Sequence, residues 1–121
     1  MNPGEQIGER KEGWQHENWR MSELLAFTRK AHAASRPDAE GRVVYDSSVE
    51  LHYSGGSPES YGYWLVDEEL PEGLRVASET VDVLYDASGA PVKIHGYVNL
   101  DRGQGTDVYL QGKALADYLG A

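Results

Sequence analysis

The stretch VDVLYDASGAPVKIHGYVNL, residues 81–100, decides the fold. Val81, Val83 and Tyr85 alternate with Asp82 and Leu84, the period of a strand with one buried face. Asp86-Ala87-Ser88-Gly89-Ala90-Pro91 has the chemistry of a tight turn, because Asp accepts local backbone hydrogen bonds and Gly supplies φ > 0. Val92 to Leu100 then returns as a second strand, with Gly96 as a candidate bulge. Two strands joined this tightly pair antiparallel, so the stretch predicts a β-hairpin.

Other elements extend outward from this hairpin. Its first strand begins near Leu74. YGYWLVD, residues 61–67, is aromatic and β-branched and predicts a strand. In RVVYDSSVELHYSGG, residues 42–56, Val43, Tyr45, Ser47, Val49, Leu51 and Tyr53 alternate with Val44, Asp46, Ser48, Glu50 and His52, again a strand. Gly55-Gly56-Ser57-Pro58 ends it. After the hairpin, Arg102–Thr106 is a loop and Asp107–Leu110 a short strand. A helix then carries Ala114, Leu115, Tyr118 and Leu119 on one side.

Before the strands, Met21, Leu24, Leu25, Thr28, Ala31, His32 and Ser35 recur at helical spacing. Asn18 or Ser22 serves as its cap, and Arg36-Pro37 stops it, since the residue before Pro is pushed out of the helical region. Residues 1–12 are polar and lack periodicity, which predicts a disordered tail ahead of one domain over 13–121. The fold expected is α+β: an N-terminal helix packed on a mainly antiparallel sheet of four to five strands, with a short C-terminal helix.

Charge is unevenly placed. The chain carries a net −9. Residues 1–37 hold six basic and five acidic groups, whereas residues 38–121 hold fifteen acidic and five basic. Such a balance repels phosphate backbones and argues against direct nucleic-acid binding. The chain has no cysteine and no apolar run able to span a bilayer or serve as a leader. These features predict a cytoplasmic protein without membrane contact.

No pattern for catalysis stands out. His16, His32, His52 and His95 share no metal-ligand spacing, although His52 and His95 are placed to face each other across a sheet. No serine sits in GxSxG. Gly103-x-Gly105 is flanked by acids and is no phosphate cradle. No cofactor is expected. What remains is an acidic loop, Asp67-Glu68-Glu69 with Glu72, and an unusual load of eight tyrosines. Tyr and Trp are favoured at interfaces because they are rigid and amphipathic.

In GWQHENWR, residues 13–20, Trp19 is placed to dock the helix start, and the segment reads as a hinge between tail and fold. Trp14 has no apolar neighbours in sequence and is a candidate anchor. The predicted partner-binding residues are Trp14, Tyr61, Tyr63, Asp67, Glu68, Glu69 and Glu72. The combination points to a non-enzymatic, protein-binding module of inhibitor type that occupies a basic surface on a larger partner. Phage or mobile-element anti-defence (anti-CRISPR-type) proteins and toxin-immunity proteins act in this mode. The alternative is a small intracellular α+β enzyme or small-molecule-binding domain. Its aromatic-lined pocket would lie between helix and sheet, with His52, His95 or a carboxylate at the mouth.

Overall fold

The hairpin is present. In the computed structural model, which describes residues 12–34, 48–54 and 62–120, strand β3 (Val76–Tyr85) pairs antiparallel with β4 (Pro91–Leu100). The turn between them forms for the expected reason. Asp86 Oδ1 accepts from the Ser88 N–H at 2.9 Å, the Ser88 hydroxyl at 2.6 Å and the Ala90 N–H at 3.1 Å. Gly89 takes φ 84°. The Ser88 hydroxyl, then the backbone donors, hold the Asp86 carboxyl below its ordinary pKa.

Three more strands complete an antiparallel sheet: β1 (Gly13–Glu17), β2 (Val49–Ser54) and β5 (Gly105–Leu110). The spatial order is β1-β3-β4-β5-β2. Helix α1 (Met21–Ala34) joins the two edge strands in the chain and packs across β3, β4 and β5 on one face. Helix α2 (Gly112–Gly120) lies beside it, contributing Ala114, Leu115 and Tyr118 to the core. The class is α+β, as expected. Among the described residues no helix is long and apolar enough to cross a membrane.

The core follows from the two periods. Alternation buries Val81, Val83 and Tyr85 from β3, Ile94 and Val98 from β4, and Val108 and Leu110 from β5. Helical spacing buries Met21, Leu24, Leu25, Thr28 and Ala31 against them. Thr28 satisfies its buried hydroxyl by donating to the Leu25 carbonyl at 2.9 Å. Trp19 packs near the rim, 6.5 Å from Tyr118, and Phe27 meets Tyr118 edge-on at 5.3 Å. Burial, with Glu23's charge adding, pushes the Tyr118 phenol up to about 12.

Four local expectations are corrected. Gly96 is no bulge. The ladder runs evenly through Val81↔Gly96↔Val108, and the irregularities fall at Val76/Ser78 and Leu84/Tyr85 instead. A Cβ on Gly96 would stand 2.5 Å from Leu24 Cδ2 and 2.7 Å from Met21 Sδ. The missing side chain therefore lets α1 sit close to the sheet.

Residues 13–17 form strand β1 rather than a hinge, paired to β3 from Gly13↔Tyr85 to Glu17↔Val81. The reason is an unusual core pair. Glu17, buried, accepts from the buried Tyr85 hydroxyl at 2.8 Å, so its polar end is satisfied inside.

The described part of YGYWLVD, residues 62–67, is not a strand. Gly62 takes φ 81° and opens a 3₁₀ turn at Tyr63–Leu65, closed by the Leu65 N–H donating to the Gly62 carbonyl at 3.1 Å. Gly62 lies against Thr106, where a Cβ would meet Oγ1 at 2.7 Å. The edge beside β5 is taken by β2, so these aromatics pack beside α1 instead of extending the sheet.

Finally, the acceptor for the first N–H of α1 comes from neither Asn18 nor Ser22. Met21 N–H donates to Glu79 Oε2, 58 residues away, at 3.0 Å. A carboxylate there also suits the helix dipole. The expected tail, the strand residues 43–47, the Arg36-Pro37 stop and Tyr61 lie outside the described residues, save Glu12 at the end of the tail.

Candidate functional site

Because both helices cover one face, the other is bare of helices among the described residues. Strand alternation decides what it displays. Register aligns His16, Asp82, His95, Tyr109 and Glu50 in one row across all five strands. The next row is Thr80, Tyr97, Asp107 and His52. Trp14, Leu84 and Lys93 form a third. Trp14 is 51% exposed, a large apolar side chain left half in water.

Each histidine on this face has a carboxylate. His95 Nε2 lies 2.8 Å from Asp107 Oδ1, His16 Nδ1 3.3 Å from Asp82 Oδ1, and His52 Nε2 3.6 Å from Glu50 Oε1. Tyr109 ties the group together. His95 stacks on its ring at 4.3 Å and 6°, His52 meets it edge-on at 5.9 Å, and Lys93 Nζ sits 5.0 Å from its centroid. Tyr97 flanks His95 at 5.9 Å.

His16 and its two neighbours do not form a nucleophile–His–acid relay. A nucleophile–His–acid relay needs the hydroxyl on one ring nitrogen and the acid on the other. Thr80 Oγ1, at 2.8 Å, and Asp82 both address Nδ1 of His16. Nor do the acids and imidazoles converge: among the described residues no group of three could hold a metal ion. Each imidazole has a carboxylate within 3.6 Å, and Tyr109 links His95 with His52.

The sequence-predicted site residues do not come together. Trp14 lies on the bare face. Tyr63 and Asp67 lie on the helical side, and they are engaged there. Arg29 donates to both Asp67 oxygens, each at 3.0 Å, and its guanidinium stands 5.3 Å from the Tyr63 ring centroid. The Arg29 hydrogen bonds hold the Asp67 carboxyl below its ordinary pKa, and Asp67 raises that of Arg29. Glu68, Glu69 and Glu72 are exposed, with Glu68 at φ 57°.

Near that loop is a cleft of about 350 Å³ lined by Arg20, Ser22, Trp64, Leu65, Val66, Glu68, Leu70 and Glu79. It lies between the start of α1 and β3, on the face opposite His52 and His95. Among the described residues its one aromatic is Trp64, with Glu68 and Glu79 as its carboxylates and no tyrosine in the lining. The histidines belong elsewhere. His16, Glu50, Asp82, Lys93, Asp107 and Tyr109 are absent from the sequence-predicted site. Alternation alone gives their parity within each strand, but only the register brings them into shared rows. No family model, curated protein or solved structure matches this chain.

Proposed function

We propose that this protein is a non-enzymatic binding module of inhibitor type, and that its helix-free sheet face docks on a basic protein surface. The observation that carries the reading is Trp14, exposed on a strand beside Leu84 and in the same face as Tyr97 and Tyr109. Burying such a side chain on association is strongly favourable, and Trp and Tyr dominate binding hot spots. The charge on the face supports a basic partner. Glu50, Asp82 and Asp107 oppose one Lys93. The net −9 of the chain adds long-range attraction, and the exposed Glu68, Glu69 and Glu72 contribute to it from the other side. The same carboxylates disfavour a nucleic acid on a face whose aromatics would otherwise suit bases.

The test is titration with an oligo-arginine peptide, followed by amide and indole NMR shifts. The reading expects shifts at Trp14 and along the His16–Glu50 row, and weaker binding as salt shortens the Debye length to about 8 Å. Trp14→Ala should weaken binding at least tenfold. Absent binding, or shifts confined to residues 67–72, would overturn it. A second reading rests on the cleft: a small amphipathic cation held by Glu68 and Glu79 over Trp64. Shifts at the Trp64 indole with free arginine amide, and none at Trp14, would favour that reading.

A further inference from the structure

We infer that the helix-free face is proton-gated, open to a basic partner when its three histidines are neutral and closed when they are charged. This rests on the docking reading above. Among the described residues, the three strand carboxylates of the face are the ones beside its histidines: Asp82 with His16, Asp107 with His95, and Glu50 with His52. A partner's Lys or Arg must use those same oxygens. An imidazolium takes its carboxylate as a charge-assisted hydrogen-bond acceptor and so competes with the partner directly. The face also changes sign. Three carboxylates and Lys93 make it net negative with neutral imidazoles. Three added protons make it net positive, and a basic surface is then repelled.

The groups facing each histidine come from several strands. His16 on β1 faces Thr80 and Asp82 on β3. His95 on β4 faces Asp82 across β3, Asp107 and Tyr109 on β5, and Tyr97 on its own strand. His52 on β2 faces Asp107 and Tyr109 across β5 and Glu50 on its own strand. Lys93 reaches the same cluster through Tyr109. No second cation among these groups offsets the change, and histidine is the side chain whose charge ordinarily changes between pH 5 and 8. The His16 and His52 side chains are each 62% exposed, so protons reach them without unfolding.

The experiment measures oligo-arginine affinity at pH 7.5 and pH 5.5, at constant salt, for the wild type and for the H16Q/H52Q/H95Q variant. The expected result is at least a tenfold loss for the wild type at pH 5.5, and less than twofold for the variant. H16Q/H52Q, altered only at exposed positions, is the companion should the triple variant fail to fold. It should show a pH response several-fold smaller than that of the wild type. Wild-type affinity that is unchanged or higher at pH 5.5 would overturn the gate while leaving the docking reading intact. So would a full pH response in the Gln variants. Absence of binding at pH 7.5 overturns both.

Discussion

Substituting Gly96 tests whether α1 is seated on the sheet as described. Two effects oppose each other. Gly96 has ordinary strand backbone, so alanine there restricts the unfolded chain and stabilises by about 0.4–1 kcal/mol. The new Cβ, however, falls 2.5 Å from Leu24 Cδ2 and 2.7 Å from Met21 Sδ. Both are side-chain tips, which normally yield. Here neither Leu24 nor Met21 has any exposed surface, so each must displace a packed neighbour. Overpacking of this kind costs about 1–3 kcal/mol. The overlap wins, and Gly96→Ala should lose about 1 kcal/mol. Gly96→Val, with two more methyl groups against the same helix, should lose about 3 kcal/mol. Urea unfolding measures this as a lower midpoint at unchanged slope. Leu24→Ala supplies the control: in that background the Gly96→Ala cost should largely vanish, a coupling that a double-mutant cycle reads directly. A Gly96→Ala protein at least as stable as the wild type would refute the close approach.

Other perturbations read other parts of the fold. Tyr85→Phe removes the hydroxyl that donates to buried Glu17 and should cost about 1–3 kcal/mol, measured by urea unfolding. Glu79→Ala deprives the first N–H of α1 of its acceptor and should cost about 1 kcal/mol, with faster amide exchange in the first turn. Tyr118 governs alkaline behaviour. Its folded pKa, about 12, lies above its unfolded value near 10, so the unfolded state loses the proton first. Stability should fall as pH rises from about 10 to 12, by roughly 2 kcal/mol, and Tyr118→Phe should flatten that part of the curve. Reversing Glu68, Glu69 and Glu72 to Lys should slow association with a basic probe in stopped-flow mixing, while Trp14→Ala should chiefly speed dissociation.

The hairpin was legible because its evidence is local. Alternation over Val81–Tyr85, an Asp-opened turn and a return strand all lie within twenty residues of chain. The helix stripe from Met21 was legible for the same reason. Residues 13–17 were not, since a five-residue strand holding Gln, His and Glu has no apolar alternation to display. It is a strand because Glu17 finds Tyr85, a partner 68 residues away. YGYWLVD misled in the opposite sense. Its composition suits a strand, but Gly62 takes a left-handed φ and β2 occupies the edge where it would have paired. The candidate face fell between these cases. His52 and His95 share a face but do not face one another, since β5 lies between their strands and places Tyr109 between the two rings. Their carboxylates and His16 required the register, which no single strand contains.

The strand order has a consequence for how the chain folds. The two edge strands, β1 and β2, come first in sequence, and the three central strands come last. During synthesis neither edge strand has a neighbour to pair with until β3 and β5 have emerged. The β3–β4–β5 meander closes short loops and is the natural nucleus, whereas β1 and β2 must wait for it with their hydrogen-bonding groups unused. The waiting segment includes Met21, Leu24 and Leu25, so until β3, β4 and β5 arrive the nascent chain carries the core-facing side of α1 uncovered, a state that ribosome-associated chaperones are suited to shield.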